Sequence, residues 1–191
     1  MFNRIHPRIM VLFLGFSCNL RCLMCSGWKK QETTQDLKVS EIDKIFSDKD
    51  LCRGLEIINL TGGEPTLRED LHEIIRLIIR ACPRLKRIDL STNGTHCDEV
   101  VDAVQRILAV LLPTNIRLTA CVSVDGIGEL HERIRGQADI FSGIDQTIKN
   151  LKELLGLYRS FDLGLNMTVG HHNYFAIDEV LAYAKHLKLG L

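Results

Sequence analysis

The chain has no excess of charge of either sign: Lys plus Arg and Asp plus Glu both number 24, for a formal net charge of zero at pH 7. No bulk field therefore draws it to nucleic acid or to an anionic membrane. Proline is scarce, with 4 in 191 residues, and aromatic residues make up only 6%. There is no Pro- or Ser-rich linker, no low-complexity tract and no long run of like charge, so nothing in the sequence marks a second domain. Long apolar runs are lacking too. The run from Ile9 to Phe16 follows Arg4 and Arg8 and precedes Cys18, but it falls far short of the ~20 residues that span a bilayer. A signal peptide would place small residues ahead of its cleavage point, where Phe16 stands, and the run reads instead as a buried first strand. What is present, hydrophobic residues at 46% and charged residues at 25%, suits one soluble globular domain with a real core.

Cysteine is the residue in surplus. Seven is an odd number, and three of the seven fall within eight residues, unlike the spacing of a secreted disulfide framework. A reducing cytoplasm is the expectation. Cys52, Cys82, Cys97 and Cys121 stand in apolar or turn contexts and read as small buried hydrophobes.

Five times a short run rich in branched apolar residues is followed by a helical pattern, the signature of βα units and a parallel sheet. The expected strands are Ile9 to Phe16, Leu55 to Leu60, Arg87 to Ser91, Ile116 to Val124 and Phe161 to Val169. Each is too apolar for a strand with one wet face. The first helix is expected to begin near Ser40, with Asp43 three residues on as in a capping box. In the second, Leu71, Ile74, Ile75, Ile78 and Ile79 recur at helical spacing until Pro83 stops it. A third runs from about Asp98 to Leu111, a fourth carries Ile144, Ile148, Leu151 and Leu155, and a fifth carries Val180, Leu181, Ala184 and Leu187. The α/β alternation alone leaves an open doubly wound sheet and a full or partial barrel as alternatives. In both, function gathers at the carboxyl ends of the strands.

Cys18, Cys22 and Cys25 follow the first strand directly and place three thiolates on one loop, which wants a thiophilic metal. Structural zinc normally takes four protein ligands, commonly as two separated pairs, and no second pair exists here. A four-iron cluster with three cysteines keeps one iron open to an external ligand, as chemistry at a cluster requires. Zinc and plain packing cysteines remain the alternatives at this level. The C-x3-C-x2-C spacing on a strand-to-helix loop resembles the radical SAM superfamily. That resemblance implies a [4Fe-4S] cluster whose fourth iron is chelated by S-adenosylmethionine. The family usually has an aromatic residue before the third cysteine; here it is Met24, an apolar side chain able to line the adenine side.

Other strand ends extend the resemblance. Gly62, Gly63, Glu64 and Pro65 match the family's GGEP turn, in which two glycines allow close backbone approach to a ligand and the motif binds the methionine amino group. Ser91 to Gly94 and Ser123 to Gly126 are similar to its STNG and SxDG segments, which implies contacts of Ser91, Asn93, Ser123 and Asp125 to ribose hydroxyls and the methionine carboxylate. Small polar residues before Gly are also ordinary turn formers, Asp125 above all. The stretch His131 to Gly136 looks like the family's HDxxRG type, implying that Arg135 pairs with the cosubstrate carboxylate; otherwise it is a solvated charged loop. Asn166, polar within an apolar strand, is a candidate to reach the adenosine. His171 and His172 stay unassigned.

The resemblance implies a partial (β/α)6 barrel with about five βα units present, residues 1–191 forming the core domain and the chain cut before the sixth strand. It implies reductive cleavage of S-adenosylmethionine to a 5'-deoxyadenosyl radical that takes hydrogen from a substrate. It also implies a low-potential electron donor such as a flavodoxin or ferredoxin. Motif order looks most like the branch of peptide maturases and of molybdenum and quinone cofactor-biosynthesis enzymes, without its C-terminal auxiliary-cluster domain. A peptide is the leading substrate, and a small molecule or sugar the alternative. An iron-sulfur electron carrier and a zinc-stabilised interaction module are the rivals from other classes.

Overall fold

The computed structural model describes residues 6–30 and 35–190. Arg4, which flanks the first apolar run, and Leu191 lie outside the described residues. The strands β1 (Ile9–Phe13), β2 (Ile57–Thr61), β3 (Arg87–Thr92), β4 (Arg117–Ser123) and β5 (Phe161–Asn166) are all parallel and lie side by side in the order of the chain. A doubly wound sheet reverses its strand order part-way. This one never does, so right-handed crossovers place the helices on one face and leave an open barrel arc.

The helices are α1 (Val39–Phe46), α2 (Lys49–Cys52), α3 (Leu71–Ala81), α4 (Cys97–Leu111), α5 (Glu129–Arg135), α6 (Phe141–Leu157) and α7 (Ile177–Leu187). On the convex side of the sheet Ile58, Ile88 and Leu118 are fully buried beneath Ile74 and Ile78 of α3, Val104 and Ile107 of α4, and Ile148 of α6. Each such side chain contributes about 1.5–3 kcal/mol of burial. Burial alternates along every strand, and the opposite, concave face carries Asn59, Asp89, Thr119 and Asp162 in one rung across the sheet.

This corrects the expectation of strands too apolar for a wet face. The first strand is not wholly buried either. Leu12 is buried, but Ile9, Val11 and Phe13 are exposed on the concave side, because β1 is an edge strand and only its convex face meets helices.

Helix positions follow the periodicity, with α3 ending before Pro83 as expected. The start of α1 differs: the Lys38 N–H donates to Glu41 Oε2 at 2.8 Å, so the box lies two residues earlier than Ser40 and Asp43. Beyond α7, Gly190 forms a parallel bridge to Gly164, and the Leu165 N–H donates to Gly190 O at 3.0 Å. The outer edge of β5 thus carries one isolated parallel bridge. Among the described residues no helix is long and apolar enough to cross a membrane.

Candidate functional site

The loop leaving β1 is fastened to the turn leaving β2. Gly63 N–H donates to Gly15 O at 2.7 Å and Glu64 N–H to Ser17 O at 2.8 Å. A Cβ on Gly63 would fall 2.0 Å from Ser17 O. Gly63 is thus needed where two loops of the chain touch, a constraint that stands beside any close approach of its backbone to a ligand. From the other side, Asp36 Oδ1 accepts the N–H groups of Phe16 at 2.7 Å and Ser17 at 3.2 Å. Burial would raise the Asp36 carboxyl, but these bonds outweigh it and hold it below its ordinary value. Asp36 escaped sequence reasoning because its partners are main-chain groups 19 and 20 residues away.

This fastening presents Cys18, Cys22 and Cys25 on one wall of a cavity of about 580 Å³. Each sulfur has its own N–H donor: Leu20 N to Cys18 Sγ at 3.5 Å, Gly27 N to Cys25 Sγ at 3.3 Å, and the Arg135 guanidinium to Cys22 Sγ at 3.8 Å. Such donors stabilise thiolates that carry a cluster. Burial raises the Cys18 and Cys22 thiols above their ordinary value, with Arg135 pulling Cys22 back in part. Deprotonation there costs more than in water, a cost that binding of a thiophilic metal can offset. Among the described residues no three Cys, His, Asp or Glu side chains converge closely enough to hold one metal ion. A four-iron cube spreads its thiolates around its corners, so the triplet suits a cluster better than zinc.

The remaining predicted residues fall into two groups. Gly62, Gly63, Glu64, Ser91, Asn93, Ser123, Arg135, Asn166 and Met24 line the cavity; Pro65 and Asp125 do not. Pro65 is buried at the start of a 3-10 turn, Pro65–Leu67. The Asp125 side chain is wholly buried, accepting Thr168 N–H at 2.8 Å and lying 2.7 Å from Arg135 Nη2.

Several cavity residues are already engaged within the protein. Glu64, 4% exposed, accepts Thr66 Oγ1–H at 2.7 Å and the N–H groups of Thr66 at 3.1 Å and Asn93 at 2.6 Å, joining the tips of β2 and β3. Burial nonetheless pushes its carboxyl above the usual range. The Asn93 amide donates to Asn19 Oδ1 at 2.8 Å and accepts from Thr95, latching the β3 tip to the cysteine loop. By contrast, the side chains of Ser91, Ser123 and Asn166 have no hydrogen-bond partner among the described residues, and all three face the cavity. Among the predicted residues, those are the polar groups left over for a ligand.

Phe13, Phe16, Trp28, Thr61 and Thr168 also line the cavity, though sequence reasoning did not select them. The chain's single Trp, three residues after the last clustered cysteine, was the readable signal. Its Nε1–H donates to Cys22 O at 3.4 Å, and Arg21 lies over its ring. The His171 and His172 rings lie tilted at 44° to each other with centres 3.6 Å apart, away from the cavity lining. The stretch from His131 is helix α5 rather than a charged loop, with His131 and Arg135 both buried.

Residues 12–184 match the family model of the radical SAM superfamily, and the chain belongs to that superfamily. Its members use a [4Fe-4S] cluster and S-adenosylmethionine. The chain is 30% identical over 182 residues to the AdoMet-dependent heme synthase of Methanosarcina barkeri, covering 95% of this chain and 48% of that protein. It is 32% identical over 152 residues to a probable GTP 3',8-cyclase of Pyrococcus abyssi, covering 80% and 44% respectively. The chain thus spans less than half the length of these curated relatives. Among solved structures, SuiB of Streptococcus suis bound to precursor peptide SuiA superimposes with a TM-score of 0.68 at 17% identity, covering 96% of this chain and 38% of that one. The enzyme anSMEcpe with bound AdoMet and a peptide gives 0.69 at 19% identity, covering 97% and 50%. These likenesses bear out the partial-barrel fold.

Proposed function

We propose that this chain is the radical-generating core of an enzyme that holds its [4Fe-4S] cluster on Cys18, Cys22 and Cys25 and S-adenosylmethionine in the adjoining cavity. The observation that carries the reading is the pairing of walls: three sulfurs, each with one N–H donor, face a cavity into which Ser91, Ser123 and Asn166 turn uncommitted polar groups. When bound, the cluster supplies the electron that splits the sulfonium into methionine and a 5'-deoxyadenosyl radical able to take hydrogen from a substrate. The protein's part is to bind, orient and exclude water. Phe13, Phe16, Met24 and Trp28 give the cavity an apolar side, and the strand-tip hydroxyls and Asn166 amide give it a polar one.

Residues 1–191 are read as the core domain, whose β5 edge takes a sixth strand beginning at Gly190, as the bridge to Gly164 supports. A low-potential donor such as a flavodoxin or ferredoxin, and a cytoplasmic setting in keeping with an odd count of seven cysteines, belong to the same reading. The motif order supports a peptide as substrate. The heme synthase and GTP cyclase relatives support a second reading, a small-molecule cofactor precursor.

The test is formation of 5'-deoxyadenosine by anaerobically reconstituted, chemically reduced protein given S-adenosylmethionine. Cys22→Ala should form none, and cleavage that survives this change would overturn the assignment. Peptides, GTP and iron porphyrins added to the same assay then separate the two substrate readings by which one is modified.

A further inference from the structure

The three sulfur donors differ in kind. Cys18 and Cys25 accept from neutral backbone N–H groups, and Cys22 faces a full positive charge, on Arg135. That arginine is 8% exposed, and its Nε is buried with no hydrogen-bond partner, so its charge is not spread into water. Behind it stands one carboxylate, Asp125, itself wholly buried, with Oδ2 2.7 Å from Nη2 as an ion contact rather than an aligned hydrogen bond. His131 packs in the same layer, accepting Asp125 N–H on Nδ1 at 3.0 Å, and burial followed by the Arg135 charge holds it neutral, with its pKa lowered to about 3. The Cys22 sulfur, Arg135 and Asp125 thus form a line of alternating charge running away from the cavity, in a low-dielectric setting where each charge acts strongly on the next.

Backbone contacts fix the line in place. Leu23 N–H donates to Ile134 O at 2.8 Å, and Gly136, left-handed at φ 73°, sits where a Cβ would be 2.5 Å from Arg21 O. The end of α5 is therefore docked on the cysteine loop itself, and Arg135 cannot drift from Cys22 without undocking it.

We infer that Arg135 and Asp125 are a paired positioning device that sets the reduction potential of the cluster through the Cys22 sulfur, Arg135 favouring the reduced form and Asp125 opposing it. This gives the arginine a task beside any pairing with the cosubstrate carboxylate: one of its Nη groups lies against a carboxylate of the protein and the other against a ligand sulfur, while the residue still lines the cavity. The inference rests on the reading that Cys22 ligates the cluster. The physical reason is simple: reduction adds a negative charge to the cluster, which a buried cation 3.8 Å from a ligand sulfur stabilises and a buried carboxylate behind it partly cancels.

The experiment is a redox titration of reconstituted protein followed by the EPR signal of the reduced cluster, without S-adenosylmethionine, for wild type, Arg135→Met, Arg135→Lys and Asp125→Asn. Arg135→Met should move the midpoint to more negative potential, Arg135→Lys less far in the same direction, and Asp125→Asn to more positive potential. Opposite signs at the two positions are what a merely structural role would not produce, since loosening the loop from either side would have the same effect. If Arg135→Met does not assemble a cluster, Arg135→Lys against Asp125→Asn carries the test. Potentials that match wild type, or that shift in one direction for both positions, overturn the inference alone. A wild-type protein that binds no four-iron cluster overturns the Cys22 assignment and this inference with it.

Discussion

Ser123 and Asn93 stand at the tips of neighbouring strands and both face the cavity, yet their side chains are in different states. Ser123 has no partner among the described residues, whereas the Asn93 amide is held by Asn19 and Thr95. Ser123→Ala should weaken S-adenosylmethionine binding by roughly 3- to 10-fold, about 1 kcal/mol, with an unchanged melting temperature. Asn93→Ala should instead lower stability by about 1–3 kcal/mol, because Asn19 and Thr95 lose their partner. Calorimetry and thermal melts on both variants check the contrast, and it is wrong if Ser123→Ala melts early or Asn93→Ala does not. The identities of both residues were legible in the sequence as strand-tip polar groups. Which of them is free for a ligand was not, since that depends on Asn19 arriving from a loop 74 positions away.

At the scale of the element, α5 shows what sequence reading leaves open. Its charges read either as a ligand-pairing segment carrying Arg135 or as a solvated loop, and the fold removes the second by burying Arg135 against Asp125 and His131 against the Asp125 backbone. A buried ion pair cannot be told from a solvated one by composition, because what decides it is how the loop leaving β4 brings Asp125 onto Arg135. The five strands and the longer helices were legible because their apolar periodicity is imposed by the convex face they cover.

Because His131 is neutral in the fold, with its pKa lowered from 6.5 to about 3 by burial and by Arg135, the unfolded chain binds a proton that the folded one refuses. Stability should be complete above about pH 6.5 and fall as pH drops from there towards 3. In His131→Asn, whose Oδ1 can take the Asp125 N–H, the loss of urea stability between pH 7 and pH 5 should be smaller than in wild type. Equal losses would refute the assignment. A second element-scale outcome concerns the turn after β2. Gly63→Ala must push the Ser17 carbonyl aside, so its iron content and melting temperature should fall together, by about 1–3 kcal/mol in stability.

For the molecule as a whole, the core beneath the convex face does not include the cavity. Ile58, Ile88, Leu118 and Ile148 are buried without help from any ligand. Protein stripped of iron by a chelator, or carrying Cys22→Ala, should therefore keep its far-ultraviolet circular dichroism while residues 14–30 exchange their amide hydrogens faster. Loss of the dichroism on iron removal would mean that the cluster, rather than the core, holds the sheet together.

The strand order carries a consequence for how the chain comes into being. Each of β2 to β5 pairs with the strand made just before it, so no unit waits on a later one to close its hydrogen bonds on that side. A chain emerging from the ribosome can add one strand and its helix at a time, with the growing edge always at the youngest strand. The Gly190 bridge to Gly164 lies on that same youngest edge. Stalled nascent chains of increasing length should gain protease-resistant fragments in steps of one βα unit, and a single late collapse would show that the sheet does not grow this way.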